Sequence, residues 1–163
     1  MAIWQFKLHL FPAESPKRGD YGRLGEIIAS DDPETVDWWS DYQPHAGFED
    51  MIDSIFPEIE SWAPQVRIWG QDGGNMASVW RDDDGKVEWI EFRLDARAFG
   101  EALVCRVSDF AKLLGCVLVT QTGQVLEPEP SLILEAFQGS LAKKFVNDPR
   151  GTLRKLKEDD GDK

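Results

Sequence analysis

The chain has 163 residues, with 30 acidic against 18 basic side chains, a formal net charge of −12 and 42% hydrophobic residues. That balance suits one globular domain over residues 1–157 with a charged, frayed tail at 158–163. The excess of negative charge argues against nucleic acid or an anionic membrane as the direct ligand, since phosphate binding is driven by clustered Lys and Arg; it favours a basic protein partner. No apolar run approaches the roughly 20 residues of a membrane span. Cys105 and Cys116 form neither a CxxC nor a dense framework. With no cleavable signal at the N-terminus, they are expected to be reduced core residues of a cytoplasmic protein.

Residues 2–11 alternate, with Trp4, Phe6, Leu8 and Leu10 on one side and Gln5, Lys7 and His9 on the other. This predicts a half-buried strand at or near a sheet edge. From Pro12 to Gly25 the prolines and the glycines Gly19, Gly22 and Gly25 predict a mobile surface loop, because their spacing fits no phosphate-binding motif. Asp32-Pro33 is an N-cap followed by proline, opening a short helix through Trp38, Trp39 and Tyr42. After Gly47, Phe48, Met51, Ile52, Ile55 and Phe56 predict an amphipathic helix ended by Pro57. These two helices are expected to cover one sheet face.

Residues 65–95 predict a three-strand antiparallel meander. At the second turn, Asp84-Gly85 supplies positive φ, and pairs Arg81 with Glu88, Trp80 with Trp89, Val79 with Ile90 and Ala77 with Phe92. At the first turn, an even loop within Gln71-Asp72-Gly73-Gly74 gives an aliphatic face of Val66, Ile68, Ala77, Val79, Ile90, Phe92 and Leu94. A three-residue loop would break that parity. The other face then holds Arg67, Trp69, Trp80, Trp89, Glu91 and Arg93, with Met76 and Ser78. Either another segment covers these indoles, or the stripe stays open as a docking surface, where Trp and Arg are favoured anchors.

Phe99, Leu103, Val107, Phe110 and Leu114 recur at helical spacing, with Gly115 as the residue that stops the helix. Cys116–Thr120 is a short apolar strand, turned at Thr122-Gly123 into Gln124–Leu126. Helices follow at about 131–146 and from Asp148-Pro149 through Leu156. The order implies an α+β fold: a mainly antiparallel sheet built on the meander and packed with helices.

No catalytic constellation stands out. His9 and His45 are the only neutral-pH proton shuttles, with Asp41 and Glu49 near His45 in sequence, but no nucleophile elbow or cysteine-protease signature accompanies them. Asp82-Asp83-Asp84 with Glu88 departs from a calcium loop, since consecutive acids point alternately to opposite sides. No metal ligands, cofactor or catalytic residues are assigned.

The runs Arg67–Asn75, Asp84–Val87 and Phe92–Arg97, with Ser140–Phe145 and Asp148-Pro149, resemble a pattern in small, acidic, uncharacterised bacterial proteins. Some of these are similar to immunity proteins of bacterial toxin systems. The resemblance implies a non-enzymatic binding protein that neutralises a basic toxin or effector, and assigns no catalytic residue. The partner surface expected from the meander is Arg67, Trp69, Trp80, Trp89, Glu91 and Arg93. The alternative is a small hydrolase-like enzyme or ligand-binding domain with a pocket beside the meander, using His45, Asp41 and Arg93. Oligomeric state has no signature in the chain.

Overall fold

The computed structural model describes residues 2–30 and 37–161. Strand β1 (Gln5–Pro12) leads into a 3-10 helix (Pro16–Arg23) and α1 (Leu24–Ala29). Then come α2 (Glu49–Asp53), β2 (Glu58–Ile59), β3 (Val66–Gly70), β4 (Met76–Arg81) and β5 (Val87–Asp95). The chain ends with α3 (Glu101–Leu113), β6 (Cys116–Thr120), β7 (Val125–Leu126), α4 (Pro130–Gly139), α5 (Leu141–Asn147) and α6 (Pro149–Gly161). The seven strands form one antiparallel sheet in the order β2-β3-β4-β5-β1-β6-β7. The fold is α+β, with the expected meander as its β3-β4-β5 half.

β1 is central, not marginal. It pairs with β5 on one side and β6 on the other, and every residue from Gln5 to Pro12 is buried. Its polar alternation therefore does not mark solvent; it marks a second, polar interior face. The Pro12–Gly25 stretch is ordered rather than mobile. Ser15 accepts a hydrogen bond from Lys17 N, Tyr21 is fully buried, and its hydroxyl donates to Pro12 O at 2.9 Å. Gly25 serves close approach: a Cβ there would meet the Thr122 carbonyl at 3.3 Å.

The start of the helix expected at Asp32-Pro33 lies outside the described residues. Trp38 and Trp39 occupy a turn at residues 38–41 instead of a helix, with both indoles buried, and Tyr42 follows in irregular chain. The helix expected at residues 131–146 is broken at Ser140, whose extended backbone (ψ 156°) ends α4 and whose hydroxyl caps α5 by accepting from Lys143 N. α6 runs through Gly161, so the acidic residues expected to fray extend it.

One sheet face is packed by α2, α3 and α4. Phe6 meets Phe99 and Phe137 edge-on, Phe92 meets Phe110, and Leu8, Leu10, Val79, Ile90, Leu94 and Leu118 are wholly buried among them. Gly115 (φ 66°) turns α3 into β6, as its position predicts. Burial of Cys116 pushes its thiol up to about 12, consistent with a reduced core residue. Among the described residues no helix is long and apolar enough to cross a membrane.

Candidate functional site

The parity of the first hairpin decides which side chains share a surface. Gln71 N donates to Asn75 O, leaving Asp72, Gly73 and Gly74 as a three-residue loop with Gly73 at φ 73°. The resulting register places Trp69 opposite Ala77, Arg67 opposite Val79 and Ile68 opposite Ser78. An even loop was expected; the odd one turns β3 over. Trp69 and Arg67 consequently lie on the helix-covered face, and Val66 and Ile68 on the other. Trp69 is fully buried, donates from Nε1 to Asp53 Oδ1 and lies beneath the Arg67 guanidinium, 4.9 Å from the ring centroid. Arg67 is committed to Glu58, with Nε donating to Oε1 at 2.9 Å; this bond holds the Glu58 carboxyl below its ordinary value.

The second hairpin also has an odd loop. Asp82 N donates to Lys86 O, and Gly85 takes φ 81° at the end of the loop Asp83-Asp84-Gly85. The expected pairing of Arg81 with Glu88 is replaced by Arg81 with Val87. A bulge at Glu88 then restores the parity, so Trp80 faces Trp89, Val79 faces Ile90 and Ala77 faces Phe92 as expected.

The face opposite the helices therefore keeps Trp80, Trp89, Glu91 and Arg93 from the expected set, without Arg67 and Trp69. It gains a polar row from β1 that the meander pattern could not supply. Ser78, Glu91 and His9 lie side by side across β4, β5 and β1, and Met76, Arg93 and Lys7 form the next row. His9 is 1% exposed and Glu91 6%. Arg93 Nε donates to Glu91 Oε1, while Glu91 Oε2 lies 3.4 Å from His9 Nδ1 without hydrogen-bond geometry. Neither imidazole nitrogen has a hydrogen-bond partner among the described residues. Burial, opposed by the Glu91 charge, lowers the His9 pKa to about 4, so the ring is neutral at pH 7. Lys7 is 9% exposed, with its pKa lowered chiefly by burial.

Aromatic groups close both ends of this polar strip. Trp89 meets His9 and Phe11 edge-on, and Phe11 is stacked on Trp38 with Tyr21 tilted against it. At the β3 margin, Val66, Ile68 and Met76 form a small separate apolar cluster with Trp80, Ile59 and Ala63 against it. Trp62 stands on that cluster, 71% exposed, with its ring 5.2 Å from Trp80. Position 62 was not among the expected contacts. Its only sequence signal was a lone tryptophan between Pro57 and Pro64.

The pocket expected beside the meander exists as a cleft of about 290 Å³ lined by Gln43, His45, Glu49 and Arg81. It brings in neither Asp41 nor Arg93, the latter being on the opposite face of the sheet. Arg81 donates to Glu49 Oε1 and to Gly85 O at 2.8 Å, and Gln43 bridges the Val87 backbone. These polar groups hold the hairpin to the preceding loop. Among the described residues no group of His, Cys, Asp and Glu is arranged to hold a metal ion. No protein-family model, curated protein or solved structure matches the chain.

Proposed function

We propose that this is a non-enzymatic binding protein that engages a basic protein partner, with an immunity-type role against a basic effector as its sharpest form. The observation that carries the reading is the Trp62–Trp80 pair: a 71% exposed indole propped on a second indole at the sheet margin. Large exposed aromatics backed by an apolar cluster are typical anchors of protein interfaces. The exposed acid Glu60 precedes Trp62 in the chain, and the exposed acids Asp83, Asp84 and Glu88 belong to the hairpin that follows Trp80. An Arg or Lys of a partner would meet an exposed indole face, and the net charge of −12 would steer its approach. Of the residues expected from sequence, Trp80 contributes surface here. Trp89 faces Trp80 across the β4–β5 ladder.

The test is photocrosslinking from position 62 in cells producing the protein, followed by affinity measurement with the captured partner. A basic partner whose binding weakens with added salt and with Trp62→Ala supports the reading. An acidic partner, or affinity indifferent to both Trp62→Ala and Trp80→Ala, refutes it. Protection of cells against the captured effector by co-expression would establish the immunity-type form.

The second reading, a small enzyme or ligand-binding domain, is favoured by the 290 Å³ cleft containing His45. It requires turnover or ligand binding that His45→Ala abolishes.

A further inference from the structure

On the polar face, the cations Lys7 and Arg93 and the His9 imidazole gather around Glu91. Lys7 and Arg93 are directly opposite each other in the β1–β5 ladder, two cations on one largely buried surface. Like charges in such a pair oppose sheet formation, where unlike charges would support it. Arg93 has one carboxylate, Glu91, which it already engages through Nε. Lys7 has no hydrogen-bond or ion-pair partner among the described residues, although only 9% of it is exposed. His9, two residues along the same face, is 1% exposed and carries two nitrogens without partners. A buried imidazole left in this state is costly to fold around. The group shares the Glu91 carboxylate; the other buried carboxylate of this face, Asp95 in the next row, accepts from Arg97 instead.

We propose that this row is a binding site for a small anion, a carboxylate or phosphate group received between Lys7 and Arg93 with His9 alongside. An anion there would turn the Lys7–Arg93 repulsion into two charge-assisted hydrogen-bonding arms, the guanidinium offering its free edge and the ammonium its protons. His9 supplies a further N–H from its neutral ring. The side chain of Arg93 is 30% exposed, which gives the site its opening; the Glu91 carboxylate on its far side fixes the guanidinium plane. The net charge of −12 slows the approach of an anion, whereas contact energy at the site is set by the nearest groups in a poorly solvated setting. The site is independent of the Trp62–Trp80 surface: either can fail without the other.

The experiment uses the intact protein and two probes, inorganic phosphate and acetate, each titrated at constant ionic strength against chloride. The chain has two histidines, so their ring resonances can be assigned with one His45→Gln variant. A saturable shift of the His9 ring without a matching shift of His45 is expected, with an accompanying rise in Tm. Tighter phosphate than acetate identifies a phosphoryl ligand, and the reverse identifies a carboxylate. Lys7→Met and Arg93→Gln should each weaken binding on the order of tenfold. Lys7→Met should also raise the Tm of the unliganded protein, because it relieves the like-charge pairing of Lys7 with Arg93. Should Lys7→Met fail to fold, the half-exposed Arg93→Gln carries the test. The proposal is overturned if neither probe shifts His9 beyond the chloride control, or if binding is the same in both variants.

Discussion

The two hairpins of the meander have the same loop length and opposite consequences. Each closes with three residues, Asp72-Gly73-Gly74 and Asp83-Asp84-Gly85, between hydrogen-bonded neighbours. In the first the odd count stands, and every side chain of β3 changes face relative to an even loop. In the second a bulge at Glu88 cancels it within two residues, and β4 and β5 keep the alternation their apolar pattern specifies. Turn length alone therefore does not fix which face a residue occupies; the next irregularity in the ladder can reverse it. The practical outcome is that Trp69 is core, whereas Trp80 and Trp89 stay on the polar side.

The largest effect should separate those indoles. Trp69→Ala removes a fully buried ring and its bond to Asp53 from beneath α2, and should cost about 3–5 kcal/mol in denaturant unfolding. Trp80→Ala, at the half-buried margin, should cost less than half as much. Equal losses would mean that β3 is not turned over.

A second effect comes from the polar face. His9 is neutral in the folded protein because burial lowers its pKa to about 4, against an ordinary value of 6.5. The unfolded chain takes up the proton first as pH falls. The stabilising contribution is complete above pH 6.5 and is lost on acidification toward pH 4, amounting to about 3 kcal/mol over the full window. Unfolding free energy measured between pH 7 and 4 should therefore fall more steeply for the wild type than for His9→Gln. Parallel profiles would show that the ring is not held neutral.

The sequence pattern made the sheet, the meander and α3 legible because each rests on local periodicity. Val79, Ile90 and Phe92 alternate as a half-buried strand does, and Leu103, Val107 and Phe110 recur at helical spacing. The first loop was ambiguous for a local reason: adjacent Gly73 and Gly74 let several turns form at similar cost, so composition does not choose the parity. The centrality of β1 was hidden because Lys7 and His9 read as solvent-facing when nothing local shows that the sheet continues on both sides. The buried row they form with Glu91 and Arg93 is a product of topology, bringing together residues more than eighty positions apart. The 3-10 helix was hidden by its glycines, which signal a loop; Gly22 packs against Gly123, whereas Gly19 has open space around it.

A smaller effect tests the second loop. Gly85 has φ 81° with open space around its Cβ direction, so Gly85→Ala carries backbone strain without a clash and should cost about 1 kcal/mol. Gly70 has φ 99° and a new Cβ would meet Asn75 O at 2.2 Å, so Gly70→Ala should cost clearly more. If the two substitutions cost the same, close approach at the β3–β4 turn is not what distinguishes these hairpins.

The smallest effect on stability belongs to the residue that matters most for the proposed docking. Trp62 is 71% exposed, and its contact with Trp80 is one edge-on pair, so Trp62→Ala should change the unfolding free energy by no more than about 1 kcal/mol. At a hot spot the same truncation should weaken binding of the crosslinked partner by about 2 kcal/mol or more, roughly thirtyfold. The ratio of the two effects is the informative quantity. A residue whose removal leaves the fold intact and the complex broken serves recognition. If the loss in binding is instead no larger than the loss in stability, Trp62 merely shields Trp80 and the β3 margin from water.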